Sequence, residues 1–356
     1  MTLSRGPSSS RGFSTYSGAC LSAWRSSASS RRTPRRAPSS AGRRKRCWRV
    51  NDLPTIRRAV AAAQPYVRRT PLLPIDAGRW LKLESLQPTG SFKVRGFVAA
   101  ALAMSPNERG RGLLTVSAGN AALACAYAAQ ALEVPCRVFS FDTAPKAKIE
   151  GVRALGARVT LLPRAELLAW MNRRGWEGEP EWFIHPFADD LVQAGHGGIG
   201  LEILADLPEV RRVVVPVGGG GLMVGVAEAV RQIRPEVEMV GAISSGYAMW
   251  PRIMRGEPLD RALTPETIAD GTTAPYDPRL RPRLAACVDS WVTVPEPALR
   301  RAVWRLASHG KVVAEGAGAL AYAALDCLEG RPATVAVVSG GNIDPALLVE
   351  LGSESL

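Results

Sequence analysis

Apolar runs of four or five residues alternate along this chain with glycine-bearing loops and alanine-rich stretches of helical spacing, a pattern that predicts a parallel α/β sheet. Gly112 to Val116 leads through Ser117-Ala118-Gly119-Asn120 into a helix from Ala121 to Leu132. Val213 to Val217 leads through Gly218-Gly219-Gly220-Gly221 into a helix from Leu222 to Ile233. A third run, Thr334 to Val338, opens onto Ser339-Gly340-Gly341-Asn342. All three loops fall at the carboxyl edges of strands. Open α/β sheets bind ligands at that edge, where helix N-termini face anionic groups.

The four consecutive glycines carry the most chemistry of the three loops. Each costs about 1 kcal/mol of ordering relative to alanine, so something must approach that backbone closely. A tight turn needs one or two glycines. Successive bare amides instead form a concave nest that takes a phosphate with no arginine or lysine required. A dinucleotide fingerprint fits poorly: Gly218, Gly220 and Gly221 or Gly225 would have to serve, with Met239 to Ala242 where the acid belongs.

A fourth segment, Gln87-Pro-Thr-Gly-Ser-Phe-Lys-Val-Arg-Gly96, sets Lys93 in a turn-rich, polar stretch. A lysine in a partly desolvated pocket keeps more of its neutral amine, the form that makes a Schiff base with an aldehyde. On its own the string reads equally well as a surface turn opening a helix.

Composition narrows the function classes. With 356 residues, 46% of them hydrophobic, the chain can bury a sizeable core in one large or two medium domains. The net charge of +13 points first to a nucleic-acid or anionic-membrane partner. Its distribution removes that inference, because residues 1–50 hold twelve Lys and Arg and no acid, leaving +1 for everything after them. That segment, rich in Ser, Arg, Pro and Gly without apolar periodicity, is expected to be disordered. An organelle transit peptide, a nucleic-acid-binding tail and translated sequence upstream of the true start compete to explain it; the Ala, Arg, Gly and Pro bias of a GC-rich coding sequence favours the last. The six cysteines include no Cys-x-x-Cys pair and there are only three histidines, which argues against structural zinc, a disulfide framework or a histidine metal cluster. No apolar run reaches bilayer-spanning length, and a cytoplasmic location is expected.

Together, and in this order, the Lys93 segment, Ser117-Ala-Gly-Asn, the tetraglycine and Ser339-Gly-Gly-Asn resemble the fold-type II pyridoxal-phosphate enzymes, specifically the threonine/serine dehydratase (ammonia-lyase) and serine racemase family. The likeness runs from about Pro71 to Asp344 and includes Ala144-Pro-Lys-Ala-Lys, Ile184-His-Pro-Phe, Gly200-Leu-Glu-Ile-Leu, Thr267-Ile-Ala-Asp-Gly and Glu315-Gly-Ala-Gly-Ala. The resemblance implies a tryptophan synthase beta-like α/β fold with two parallel-sheet domains and pyridoxal 5'-phosphate as cofactor. It makes Lys93 the catalytic Schiff-base lysine and packs Phe92 on the cofactor ring. Asn120 would bond the ring hydroxyl, Gly218, Gly219, Gly220 and Gly221 would hold the phosphate, and Ser339 would meet the pyridine nitrogen. Ser117 and Asn120 would bind the carboxylate of a small amino-acid substrate. The implied reaction is β-elimination of water from a β-hydroxy amino acid, threonine or serine, to give a 2-oxo acid and ammonia.

Departures from the family pattern refine this. Racemases of the family carry a second serine where this chain has Ala118, which cannot return a proton, so dehydration is favoured over racemisation; a 3-hydroxyaspartate dehydratase is the other competitor. Histidine is common where Ala121 stands. The Gly-Gln-Gly-Thr common before a large-domain helix is Gly195-His196-Gly197-Gly198 here, leaving His196 either a helix-start histidine or a group reaching the substrate side. No acid lies between Gly241 and Met249, where metal-binding relatives place their ligands, so no carboxylate-held cation is expected there. Only fourteen residues follow Asn342, which leaves no room for the C-terminal regulatory domain of the biosynthetic dehydratases and points to a catabolic type. Glu315 is read equally as a structural carboxylate or a group close to the cofactor. The expected architecture is a large cofactor-binding domain of 51–111 plus 188–356, a small mobile domain of 112–187, and a homodimer.

Overall fold

The computed structural model describes residues 51–258 and 265–354. The basic segment of residues 1–50, with its competing explanations, lies outside the described residues.

Ten strands carry the architecture: β1 (Leu72–Asp76), β2 (Arg79–Leu83), β3 (Leu113–Val116), β4 (Cys136–Phe141), β5 (Arg158–Leu162), β6 (Trp182–Phe183), β7 (Arg212–Pro216), β8 (Glu238–Ser244), β9 (Ser290–Val294) and β10 (Thr334–Val338). The helices that bear on the site are, in chain order, α1 (Leu53–Ala63), α2 (Lys93–Ala103), α3 (Pro106–Gly110), α4 (Asn120–Ala131), α5 (Lys146–Ala154), α6 (Arg164–Asn172), α7 (Asp190–Asp206) and α8 (Gly221–Ile233). Further along follow α9 (Met249–Met254), α10 (Leu280–Cys287), α11 (Glu296–Ser308), α12 (Gly316–Ala324) and α13 (Pro345–Ser353).

The strands form two sheets, one of six in the order β1-β2-β10-β7-β8-β9 and one of four in the order β5-β4-β3-β6. Every pairing is parallel except β1 with β2, an antiparallel edge hairpin that the hydrophobic pattern did not distinguish. β7 and β10, in the middle of the six-stranded sheet, are apolar on both faces, as a sheet covered by helices requires. Val213, Val215, Val335 and Val337 enter one core cluster with Met223, Val226 and Val230 of α8. Val214, Ala336 and Val338 enter the opposite one with Leu299, Val303 and Leu306 of α11 and Leu320 of α12.

Strand order explains where the loops meet. β10 lies between β2 and β7, so the loop after β10, the loop after β7 and the chain leaving β2 toward Lys93 all emerge at one edge. All three predicted strand–loop–helix units are present, with boundaries shifted by one residue: β3 begins at Leu113, β7 spans Arg212–Pro216, and α8 already includes Gly221. The Gly195-to-Gly198 run does not precede a helix. It lies inside α7, whose N-cap is Asp189, accepting from the amides of Leu191 and Val192.

Candidate active site

Lys93 is the first residue of α2, and its segment is tied to the loop after β10. The Phe92 amide donates to the Ser339 carbonyl at 3.0 Å and the Gly341 amide to the Gly90 carbonyl at 2.8 Å. Gly90 has φ +69°, and a Cβ there would sit 2.2 Å from Asn342 Oδ1, so this turn requires glycine. Two residues past the lysine, Arg95 anchors the helix. It donates to both carboxylate oxygens of Glu84 (2.7 and 2.9 Å) and of Glu202 (2.8 and 2.9 Å), and to the Arg68 carbonyl at 3.1 Å. Lys82, also fully buried, meets Glu202 at 2.7 Å. Burial alone would lower the Arg95 pKa, but Glu84 and Glu202 raise it. Two buried cations thus face two buried anions, which fixes where Lys93 emerges.

The Lys93 amine donates to the Pro186 carbonyl at 2.5 Å. The Phe92 ring lies beside it, with its centroid 5.1 Å away. Burial lowers the lysine pKa from 10.5 to about 8. At pH 7 about a tenth is therefore the nucleophilic free amine, far more than for a lysine at its ordinary value.

His185 and Phe187 flank that carbonyl, and the residue pattern had given neither a role. His185 Nδ1 accepts from the amides of Phe187 (3.4 Å) and Ala188 (3.0 Å), shaping the turn that presents Pro186. Burial holds this ring neutral, with Arg279 and Lys93 adding and Asp277 opposing, at a pKa of about 4. Phe187 meets the glycine loop. A Cβ on Gly219 would lie 2.4 Å from its ring, and one on Gly221 would lie 2.3 Å from its carbonyl oxygen. At Gly218 the obstacle is the Thr272 backbone at 2.7 Å; Gly220, at φ +97°, meets Leu284. Protein atoms therefore occupy every missing Cβ position. The amides themselves remain available: among the described residues no backbone acceptor takes the N–H groups of Gly218 to Gly221.

Asn120 opens α4 and is held from both ends of its amide. Nδ2 donates to Glu315 Oε1 at 2.6 Å, and Oδ1 accepts from Asn342 Nδ2 at 2.8 Å. Asn342 also donates to the Thr89 carbonyl at 2.9 Å, so one chain of hydrogen bonds joins the loops after β2, β3 and β10 to the start of α12. Ser117 Oγ accepts from the Gly119 amide at 3.1 Å. Ser339 Oγ is buried and donates weakly to the Ala317 carbonyl at 3.3 Å. Glu315 is the perturbed carboxyl of the group: burial and the nearby Asp270 raise its pKa from 4.5 to about 7, against the Asn120 hydrogen bond and Lys148. Lys148 and Asp270 pair at 2.6 Å. His196 lies in the interior of α7, fully buried, and so neither starts a helix nor reaches the substrate side. Cys125 and Cys136, distant in pattern terms, place their sulfurs 3.7 Å apart.

A reactive lysine, a run of unpaired amides at the N-terminus of a thirteen-residue helix and a buried serine on the adjoining loop suit a phosphorylated aldehyde cofactor. The sequence pattern of the pyridoxal-phosphate dependent enzymes matches residues 63–340, and the chain belongs to that family. Pyridoxal phosphate is its cofactor. Among known proteins, the L-threonine ammonia-lyase of Thermotoga maritima is 40% identical over 281 residues, covering 78% of this chain and 70% of that one. A T.th. threonine deaminase superposes with a TM-score of 0.74 at 37% identity, covering 83% of this chain and 99% of that one. Maize serine racemase superposes with a TM-score of 0.78 at 29% identity, covering 85% and 97%.

Proposed function

We propose that this chain is a pyridoxal-phosphate-dependent dehydratase that eliminates water from threonine or serine and yields a 2-oxo acid and ammonia. The observation that carries this is the half-buried Lys93 amine, held by the Pro186 carbonyl and with its pKa lowered to about 8. The similarity to the threonine ammonia-lyase and threonine deaminase supports the choice of substrate.

When bound, the cofactor supplies an electron sink for the charge that develops at the substrate α-carbon. The chain's residues do the rest. Lys93 would hold the cofactor through its amine and would be the base that takes the α-proton. The amides of Gly218 to Gly221 would hold the phosphate, and Phe92, Ser339 and Asn120 would hold the ring, its nitrogen and its hydroxyl. A serine at the nitrogen does not enforce its protonation, which favours expulsion of the β-hydroxyl over prolonged storage of charge. Ser117, Asn120 and the first amides of α4 bind the substrate carboxylate. Ala118 offers no proton to the opposite face, which separates this chain from racemases.

Residues 112–187, which contain the four-stranded sheet, form a small domain that closes on a large one of 51–111 and 188–356 and excludes water. A homodimer and a cytoplasmic location complete the proposal. Among the described residues no helix is long and apolar enough to cross a membrane.

The test is release of 2-oxo acid from threonine, serine and 3-hydroxyaspartate by the purified protein beside Lys93→Ala. Threonine or serine should be the better substrate and the variant inactive. No release from any of the three would sink the proposal.

A further inference from the structure

Trp250, on α9, is 1% exposed and has one polar group to satisfy, the indole Nε1–H. That group donates to the Gly218 carbonyl at 2.6 Å. Gly218 opens the glycine loop, so the bond acts on the peptide unit that joins Gly218 to Gly219. A peptide unit is planar, and in its trans form the C=O and N–H point to opposite sides. Among the described residues no peptide bond is cis. An indole that keeps the Gly218 carbonyl on its own side therefore turns the Gly219 N–H to the other. The glycines do not do this by themselves, because a residue without a Cβ leaves its flanking peptide units many orientations.

The surroundings make the indole a fixed reference. It belongs to the core cluster that holds Met223 of α8, Ile253 of α9 and Leu284 of α10, and Tyr276 meets it edge-on, with centroids 5.6 Å apart at 67°. The strand before it, β8, pairs with β7, the strand before the glycine loop, and the Val217 amide donates to the Ala242 carbonyl at 2.9 Å. A Cβ on Gly218 would lie 2.7 Å from Thr272 Cα, so the loop is also packed against a second segment at the residue whose carbonyl the indole takes.

We propose that Trp250 is a positioning residue for phosphate recognition: its indole N–H fixes the Gly218 carbonyl and thereby aims the Gly219 amide at the anion. This rests on the glycine loop being the phosphate site. Phenylalanine would fill much of the same core and leave the carbonyl without its donor. The peptide unit could then turn, and an amide that has to be reoriented when the anion arrives binds it less tightly than one already in place.

The test compares two aldehydes that differ only in the phosphate. Stripped protein is titrated with pyridoxal phosphate and, separately, with pyridoxal, and each affinity is read from visible absorbance. In Trp250→Phe the preference for the phosphorylated form should fall about tenfold, the equivalent of one hydrogen bond, while the affinity for pyridoxal stays within about twofold of the parent. Ile253→Ala, a change in the same helix and the same core cluster, should lower the melting temperature and leave the preference unaltered. An unaltered preference in W250F, or equal losses of both aldehydes, would overturn the proposal. A measurement on the parent covers the case in which W250F does not fold. In stripped protein labelled with ¹⁵N-tryptophan, an indole N–H signal that exchanges slowly with solvent should shift when inorganic phosphate is added; no such signal among the nine tryptophans would also overturn it. Equal binding of the two aldehydes by the parent would instead overturn the glycine loop as the phosphate site.

Discussion

Substituting Glu315 by glutamine should remove a pH-dependent liability from the folded state. Glu315 caps the start of α12, is buried, and has its pKa raised from 4.5 to about 7. Two charged groups bear on it from other elements: Asp270, which raises the pKa, and Lys148 on α5, which lowers it; the uncharged Asn120 amide donates to it at 2.6 Å. An acid with a raised folded pKa holds its proton in the native state at a pH where the unfolded chain has released it. Unfolding then releases a proton, and stability falls as pH rises through the window from 4.5 to about 7. A displacement of that size corresponds to about 3 kcal/mol once the window is passed. The effect of E315Q is bounded by the same figure, because a glutamine carbonyl can still accept from Asn120.

The assay is urea unfolding of parent and E315Q, stripped and loaded, at several pH values across the window. Below pH 4.5 the two should match. The variant should become the more stable as pH rises, with the difference flat above about pH 7 and on the order of 1–3 kcal/mol. Curves that stay parallel, or a gap that opens in acid, would refute the placement of a protonated carboxyl at this site.

Other outcomes follow from the same geometry. Removing Lys148 by K148A should move the midpoint of that stability difference to higher pH, and D270N should move it lower. Each shift should be under about one pH unit, because the Lys148–Asp270 pair is partly exposed. Gly221→Ala drives a Cβ to 2.3 Å from the Phe187 carbonyl and should lower the melting temperature and cofactor uptake together, whereas Gly110→Ala, helical in α3 with open space around it, should melt like the parent. Ala118→Ser should raise racemisation of serine from near zero; strong racemisation by the unaltered enzyme would remove the basis for assigning it to dehydration.

The loops of the site were legible because each is local. A β-branched run, a glycine cluster and an alanine-rich helix sit within about twenty residues of one another, and the backbone pattern alone specifies them. Lys93 was legible only as one member of a set, since a lysine in a turn has many uses and the loops that meet it are set by strand order. What escaped is long-range. The Arg95–Glu84–Glu202 network spans more than a hundred residues of chain, and none of its members is marked by its neighbours. The β1–β2 hairpin escaped because an antiparallel edge leaves the same apolar signature as a parallel strand here.

The tetraglycine has a structural cause beside the one its pattern suggests. Its glycines imply a close approach, and the pattern suggests a phosphate as the partner. Yet at each position a protein atom already fills the place of the Cβ: Thr272 at Gly218, Phe187 at Gly219 and Gly221, and Leu284 at Gly220. The glycines are required before any ligand arrives. Their role is to let the Phe187 turn and the Thr272 segment pack against the loop from outside, which leaves the amides without protein partners at the N-terminus of α8. The proposed phosphate site rests on the amides which that packing leaves free. The Phe187 turn is also the one that offers the Pro186 carbonyl to Lys93. Lys93 and the glycine loop thus both meet one three-residue segment, Pro186 to Ala188, and changes in it should lower the reactivity of the amine and the uptake of pyridoxal phosphate together.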